Sequence, residues 1–257
     1  MDFITATRSE LLKTKRTASF WLSVAGAALI PVLFFVAYVS KSETASAGMK
    51  ANPWVSHFST GWELMSPLLF PMYIILICTL VTHIEFRNNT WKQVFAAPVS
   101  TGTIYLSKFL AIHLMMLLCF ILFNVFMLLS GLAINLVRPD FTFLNHPVDW
   151  KFMFHLNVKM YVSILGISGL MYWAALRFKN FIAPLGIGLA LLTVSLIALS
   201  YKWEYVALLP FAQPHLTLES AGKAGAFFPT AAVNSLLSCV AFTALGWADL
   251  RFRKEKG

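Results

Sequence analysis

Six long apolar runs separated by short polar intervals set the pattern of this chain. Read between charges, they are Phe20–Val39, Trp62–Thr82, Lys108–Asn135, His155–Leu176, Phe181–Ser200 and Phe228–Asp249. Each is close to the roughly 20 residues that carry a helix across about 30 Å of hydrocarbon. The runs are continuous, so they predict spanning helices and exclude a barrel, whose strands would show alternating segments of about ten residues. The expected fold class is all-α integral membrane, with one transmembrane domain over residues 1–257. No interval is long enough to form an independent soluble domain, and no internal repeat is present. Pro31, Pro67 and Pro71 are expected to bend their spans. The glycines Gly166, Gly169, Gly186 and Gly188 mark expected close helix contacts.

The first run follows a basic leader (Arg8, Lys13, Lys15, Arg16) and precedes "TASAG" at 44–48, which imitates a signal peptide. The run exceeds the 7–15 apolar residues of a signal sequence, so it reads as a first span. With six spans both termini share a side. Placing them in the cytoplasm puts 13 of the 20 Lys and Arg on inner segments, against 7 outside, as the positive-inside rule requires. The expected location is therefore a cell membrane, multi-pass, with both termini cytoplasmic. Composition agrees: 58% of residues are hydrophobic and 12% charged, where soluble domains carry about 25% charged residues. Loop charge also explains the net +9, so no nucleic-acid partner is expected. Cys78, Cys119 and Cys239 fall inside apolar runs and read as small buried hydrophobes.

Chemical motifs are scarce. There is no G-x-x-x-x-G-K-[ST] phosphate loop, so ATP hydrolysis would have to occur on another chain. The histidines are scattered without metal-ligand spacing, and no metal site or catalytic residue is expected. His113 alone sits well inside a run, where a helix–helix hydrogen bond is its expected role. Glu63 reads as a solvated carboxylate near the outer interface. Span polarity is confined to Asn124, Ser163, Ser168, Asn234, Ser235 and Ser238. No buried acid–base pair is expected in the spans, so any uphill transport would draw on a partner. Asp140, His146, Asp149 and His155 cluster in and beside the outer-facing interval between the third and fourth runs. They offer an integral-membrane lipid enzyme its only foothold, but their spacings match no motif and an ordinary solvated loop explains them. Residues 201–227 are amphipathic, with Pro210, Pro214, Trp203, Tyr205 and Phe211. Outer re-entrant helices and an ordinary loop resting on headgroups both fit.

The stretch "VTHIEFRNNTWKQVFAAPVSTGTIYLSKFL" at 81–110 stands apart as the longest interval of mixed polarity. A helix over 84–97 would place Ile84, Trp91, Val94 and Phe95 on one face, with Pro98 ending it. Such an element could lie on the inner leaflet or dock on a cytoplasmic partner.

"EFRNNTWKQVFAAPVSTGTIYLSKFL" resembles the segment of ABC-2-type permeases that runs from Glu through Thr-Trp-Lys and Pro-Val-Ser to a Lys opening the next span. "ITATRSELLKTKRTASFWLSV" resembles the start of the same permeases, and the nearest likeness is to the branch linked to lantibiotic and peptide-antibiotic immunity. The resemblance implies an N-terminal interfacial helix, a coupling helix between spans 2 and 3, and outer re-entrant helices between spans 5 and 6 (type V exporter-like). It implies that Glu85, Phe86, Arg87, Thr90, Trp91, Lys92, Val94 and Phe95 couple to an ABC ATP-binding subunit, which would hold the ATP and Mg. It further implies a second permease copy or paralogue as partner, surrounding membrane lipids, and export of an amphipathic peptide, antibiotic or lipid-like substrate. A scaffold or sensor coupled to an ATPase without transport is the alternative. On the coupling reading, Glu85→Ala or Trp91→Ala would uncouple the complex and leave the bundle folded.

Overall fold

The computed structural model describes residues 3–40, 52–88, 90, 91, 99–221 and 230–252. Among these residues the regular structure is helical throughout, with no strand. A short helix α1 (Phe3–Thr14) turns at Arg16, whose φ of 62° puts it in the left-handed region, into α2 (Ala18–Ser40). Helices α3 (Pro53–Leu64) and α4 (Phe70–Arg87) are joined without interruption by one π-helical turn, Met65–Leu69. Helix α5 covers Thr101–Val137. Two 3-10 turns lead to α6 (Trp150–Ser163), which continues past a break at Ile164 as α7 (Leu165–Arg177). Helix α8 (Ile182–Ser200), two further 3-10 turns, α9 (Gln213–Ala221) and α10 (Thr230–Phe252) complete the described fold.

Local chemistry explains the boundaries. Asn52 caps α3 by accepting from the Trp54 N–H at 3.0 Å, and Pro53 occupies the first turn, where its missing donor costs nothing. Ser100 caps α5 through the Thr103 N–H at 3.1 Å, and Asp149 caps α6 through that of Phe152 at 2.9 Å. The π turn contains Pro67, so the bend expected there takes the form of one widened turn, a usual response when a ring displaces a backbone hydrogen bond.

Six helices are long and apolar enough to cross a membrane: Ala18–Ser40, Pro53–Arg87, Thr101–Val137, Trp150–Arg177, Ile182–Ser200 and Thr230–Phe252. The chain is a multi-pass membrane protein. The second and third contain 35 and 37 residues. At 1.5 Å per residue they are about 52 and 55 Å long, well beyond a hydrocarbon core of about 30 Å. Their extra turns were invisible to hydropathy because Ser56, His57 and Ser59 dilute the apolar signal near Pro53. His57, His83 and His155 lie within long helices too, which corrects the expectation that His113 alone would. His57 Nε2 sits 3.0 Å from Ser130 Oγ, and His113 Nδ1 is 2.9 Å from the Tyr161 hydroxyl, so both serve as interhelical hydrogen-bonding groups.

The bundle packs α2 along α5, α4 against α7, and α7 against α10. An aromatic cluster of Trp62, Phe70, Phe120 and Phe123 joins the α3–α4 helix to α5, with ring centroids 4.8–5.8 Å apart. A Cβ on Gly166 would meet the Ser235 carbonyl oxygen at 3.1 Å, and one on Gly169 the Cys239 carbonyl oxygen at 3.0 Å. These glycines let α7 and α10 approach closely, as membrane interfaces built on small residues do. Gly188 packs tightly on Ile75, but Gly186 has nothing within 4 Å, so its expected role in close packing does not hold. At the break, Ser235 Oγ donates to the Ser163 carbonyl at 2.8 Å and accepts from the Gly166 N–H at 2.9 Å. One hydroxyl on α10 thus satisfies both sides of the interruption. Asn124 and Asn157 exchange amide hydrogen bonds at 2.7 and 2.9 Å between α5 and α6.

The stretch after α8 folds inward: Phe211, Ala212, Gln213 and Thr217 are buried, and α9 packs against α6, α10 and the π turn. A loop lying on the surface does not describe it. The two ends of the bundle differ in charge. Helix α1 packs across the start of α5, and Trp247 of α10 lies beside Gly102, so both terminal helices share one end. That end carries Arg8, Lys13, Lys15, Arg16, Arg87, Lys108, Arg177, Lys179 and Arg251 among the described residues.

Candidate functional site

The basic end is organised around four charges from three helices. Glu85, in the last turn of α4, is 1% exposed, and so is Lys108, two turns into α5; Glu10 of α1 is 6% exposed. Lys108 Nζ lies 2.8 Å from Glu85 Oε1 and 2.5 Å from Glu10 Oε2. Lys13, whose side chain is 35% exposed, closes the set at 3.0 Å from Glu85 Oε1 and 2.5 Å from Glu10 Oε1. Two carboxylates and two ammonium groups cancel, which lets the cluster be buried without net charge. Burial alone would raise the Glu10 pKa, but the Lys108 ammonium, with Lys13, more than offsets it and holds it below the usual carboxylate value. Burial likewise opposes the Lys13 charge, and Glu10 and Glu85 overcome that to raise its pKa. Glu85 Oε2 has no hydrogen-bond partner among the described residues.

This cluster overturns the expectation that the spans hold no buried acid–base pair. Glu85 and Lys108 stood at the edges of the apolar runs and read as loop charges. Only folding brings residues 23 positions apart, and Glu10 from 98 positions before Lys108, into one site. The one local signal was the Glu10–Lys13 spacing within "RSELLK", a same-face helical pair.

The residues expected to couple to an ATPase divide in two. No separate helix begins at 84: Ile84–Arg87 are the final turn of α4, because His83, Glu85 and Phe86 continue its packing, and Asn88 ends it with its N–H on the Ile84 carbonyl at 3.2 Å. Glu85 points inward to the ion cluster. Trp91 is buried, its ring 5.2 Å from that of Phe86, with Lys108 Nζ 6.0 Å from its centroid. Glu85 and Trp91 are therefore interior supports and not part of an exposed docking face. Arg87 is exposed, and Phe86 and Thr90 are half-buried. Lys92, Val94, Phe95 and Pro98 lie outside the described residues.

Beside the cluster, a cleft of about 720 Å³ opens between the α1–α2 turn, the end of α4 and the α7–α8 connection. Lys13, Arg87 and Lys179 line it together with Leu80, His83 and Phe181. At the opposite end, Asp140, His146, Asp149 and His155 do not converge. Asp149 caps α6, His155 bonds its own helix through the Lys151 carbonyl, and Asp140 pairs with Arg138 at 3.7 Å. No group of three or more potential metal ligands occurs among the described residues.

Among the described residues the chain is a polytopic helical bundle with no group of potential metal ligands, and an ion cluster ties its N-terminal helix to two spans. Residues 6–195 match the family described as ABC-2 family transporter protein, which is well over half of the chain, and the chain belongs to that family. It is a transmembrane subunit of an ABC transporter, not itself a catalytic enzyme, of a family that works with an ABC ATP-binding subunit. A comparison with curated proteins finds no match.

Proposed function

We propose that the chain is the permease of an ATP-driven exporter, paired with a second copy or paralogue, whose ATPase docks at the basic end. The observation that carries this reading is the ion cluster. It joins the last turn of α4, where the resemblance puts the coupling element, to α1 and α5, so a push on the end of α4 is delivered to three helices at once. The excess of Lys and Arg at this end supports placing it, with both termini, in the cytoplasm. Helix α1 is then the interfacial helix, with Ile4 and Leu12 exposed toward lipid. The buried Gln213 and Thr217, at the far end of the chain's fifth span, support a re-entrant role for α9.

The sparse polarity of the spans suits an amphipathic peptide, antibiotic or lipid-like substrate moving outward. The lantibiotic-immunity branch remains the reading favoured by the motif at 85–108. The test is a gentle affinity purification of the tagged chain from its own cells, followed by mass spectrometry. Recovery of a stoichiometric phosphate-loop ATPase is the expected result. Absence of any ATPase after mild crosslinking would end the exporter reading.

A further inference from the structure

The cleft at the basic end has the construction of a lipid headgroup site. Its loop side presents three cations, Lys13, Arg87 and Lys179. Lys13 is engaged by the ion cluster, but Arg87 and Lys179 are exposed and form no ion pair among the described residues. Its span side is apolar, formed by Leu80, Ile84 and Phe181, and Ile182 just beyond is 69% exposed on the outer face of α8. His83 is 8% exposed and lines the wall. The order from cations to an apolar wall follows the order of a phospholipid from phosphate to acyl chain. It also sits at the first turns of α2 and α8, where hydrocarbon begins. Basic pockets between spans on the cytoplasmic side are a recurrent form of headgroup recognition.

We propose that this cleft binds the phosphodiester headgroup of an anionic phospholipid, with Arg87 and Lys179 as its principal ligands and the acyl chains running along α8. The proposal rests on the permease reading only for naming the leaflet, which is the cytoplasmic one. Because Arg87 and Lys13 join the cleft to the ion cluster and to the end of α4, an occupied cleft would brace the segment on which an ATPase pushes.

The test is native mass spectrometry of the full chain in mild detergent, with phosphatidylglycerol or phosphatidylcholine added as mixed micelles. Phosphatidylglycerol is expected to be retained in preference to phosphatidylcholine. The Arg87→Gln/Lys179→Gln double variant should weaken phosphatidylglycerol binding about 25-fold, roughly fivefold for each cation near the surface. Lys151→Gln/Lys202→Gln, which removes two cations from the other end, should leave it unchanged. Both pairs are exposed, and matching thermal unfolding of the variants shows that the fold is kept.

Equal retention of the two lipids, or equal loss in the two double variants, overturns the proposal. Displacement of phosphatidylglycerol by inorganic phosphate would assign the cleft to a soluble anion instead, and displacement by the ATPase subunit would assign it to protein. Since the assay uses the permease alone, a failed lipid site with an intact ATPase partnership leaves the exporter reading standing, and the reverse also holds.

Discussion

Lys108→Met isolates the ion cluster from everything else in the fold. Methionine keeps the length and apolar stem of lysine, so the change removes a charge with little loss of packing. What remains is Glu10 and Glu85 facing a single ammonium, on Lys13, which is the most exposed member of the set. Removing one partner of a buried pair costs about 3–5 kcal/mol, chiefly from the charge left uncompensated. In a chain of this size that corresponds to a fall in Tm on the order of 10 °C. Adding Glu85→Gln restores neutrality, with Glu10 and Lys13 still paired along α1. The double variant should therefore recover about 2 kcal/mol relative to Lys108→Met, a coupling typical of residues in one charged network.

A thiol-reactive dye supplies the assay in detergent, because Cys78 and Cys119 are buried and become reactive only on unfolding. A Lys108→Met protein that melts with the wild type would refute the reasoning. So would a double variant whose loss equals the sum of the two single losses. The same logic revises the expectation that Glu85→Ala leaves the bundle intact, since it strands the buried Lys108 ammonium with one carboxylate fewer.

Three further outcomes are expected. Gly169→Ala should destabilise by about 1–3 kcal/mol, since its methyl would press on the Cys239 backbone, while Gly186→Ala, open within 4 Å, should be neutral or slightly stabilising; equal melting of both would count against the α7–α10 contact. Ser235→Ala should cost about 1–3 kcal/mol by orphaning the Gly166 N–H, and Ser235→Thr, which keeps the hydroxyl, should lose less. Glu10 has a lowered pKa, so its contribution is present above its ordinary value of 4.5 and is lost as pH falls through the depressed one. Lys13 has a raised pKa, so its contribution holds below 10.5 and is lost as pH rises through the elevated value. The share of stability from this pair should thus be flat between these limits and fall on both sides, and Glu10→Gln should remove the acid-side share.

Sequence legibility followed the range of the interactions. The six apolar runs were visible because crossing hydrocarbon imposes a length that any residue order must meet, and Gly166 and Gly169 because a missing side chain is itself a packing signal. The extension of the second long helix was announced by Asn52-Pro53, a cap followed by a first-turn proline, but average hydropathy hid it. The ion cluster could not be read from the chain, since Glu85 finds Lys13 across 72 residues and each charge alone resembles a loop residue. The motif around Glu85 reads as an exposed docking element, whereas the carboxylate turns inward to Lys108.

The continuous α3–α4 helix has a mechanical consequence. It is held near one tip by the ion cluster and near the other by the Trp54 indole, which donates to the Phe143 carbonyl at 2.9 Å. A rod about 52 Å long that tilts by about 5° at its base carries its far tip through about 4.5 Å. The π turn is centred about two-fifths of the way from that tip, so its stiffness would set whether the swing arrives whole or is absorbed as a bend.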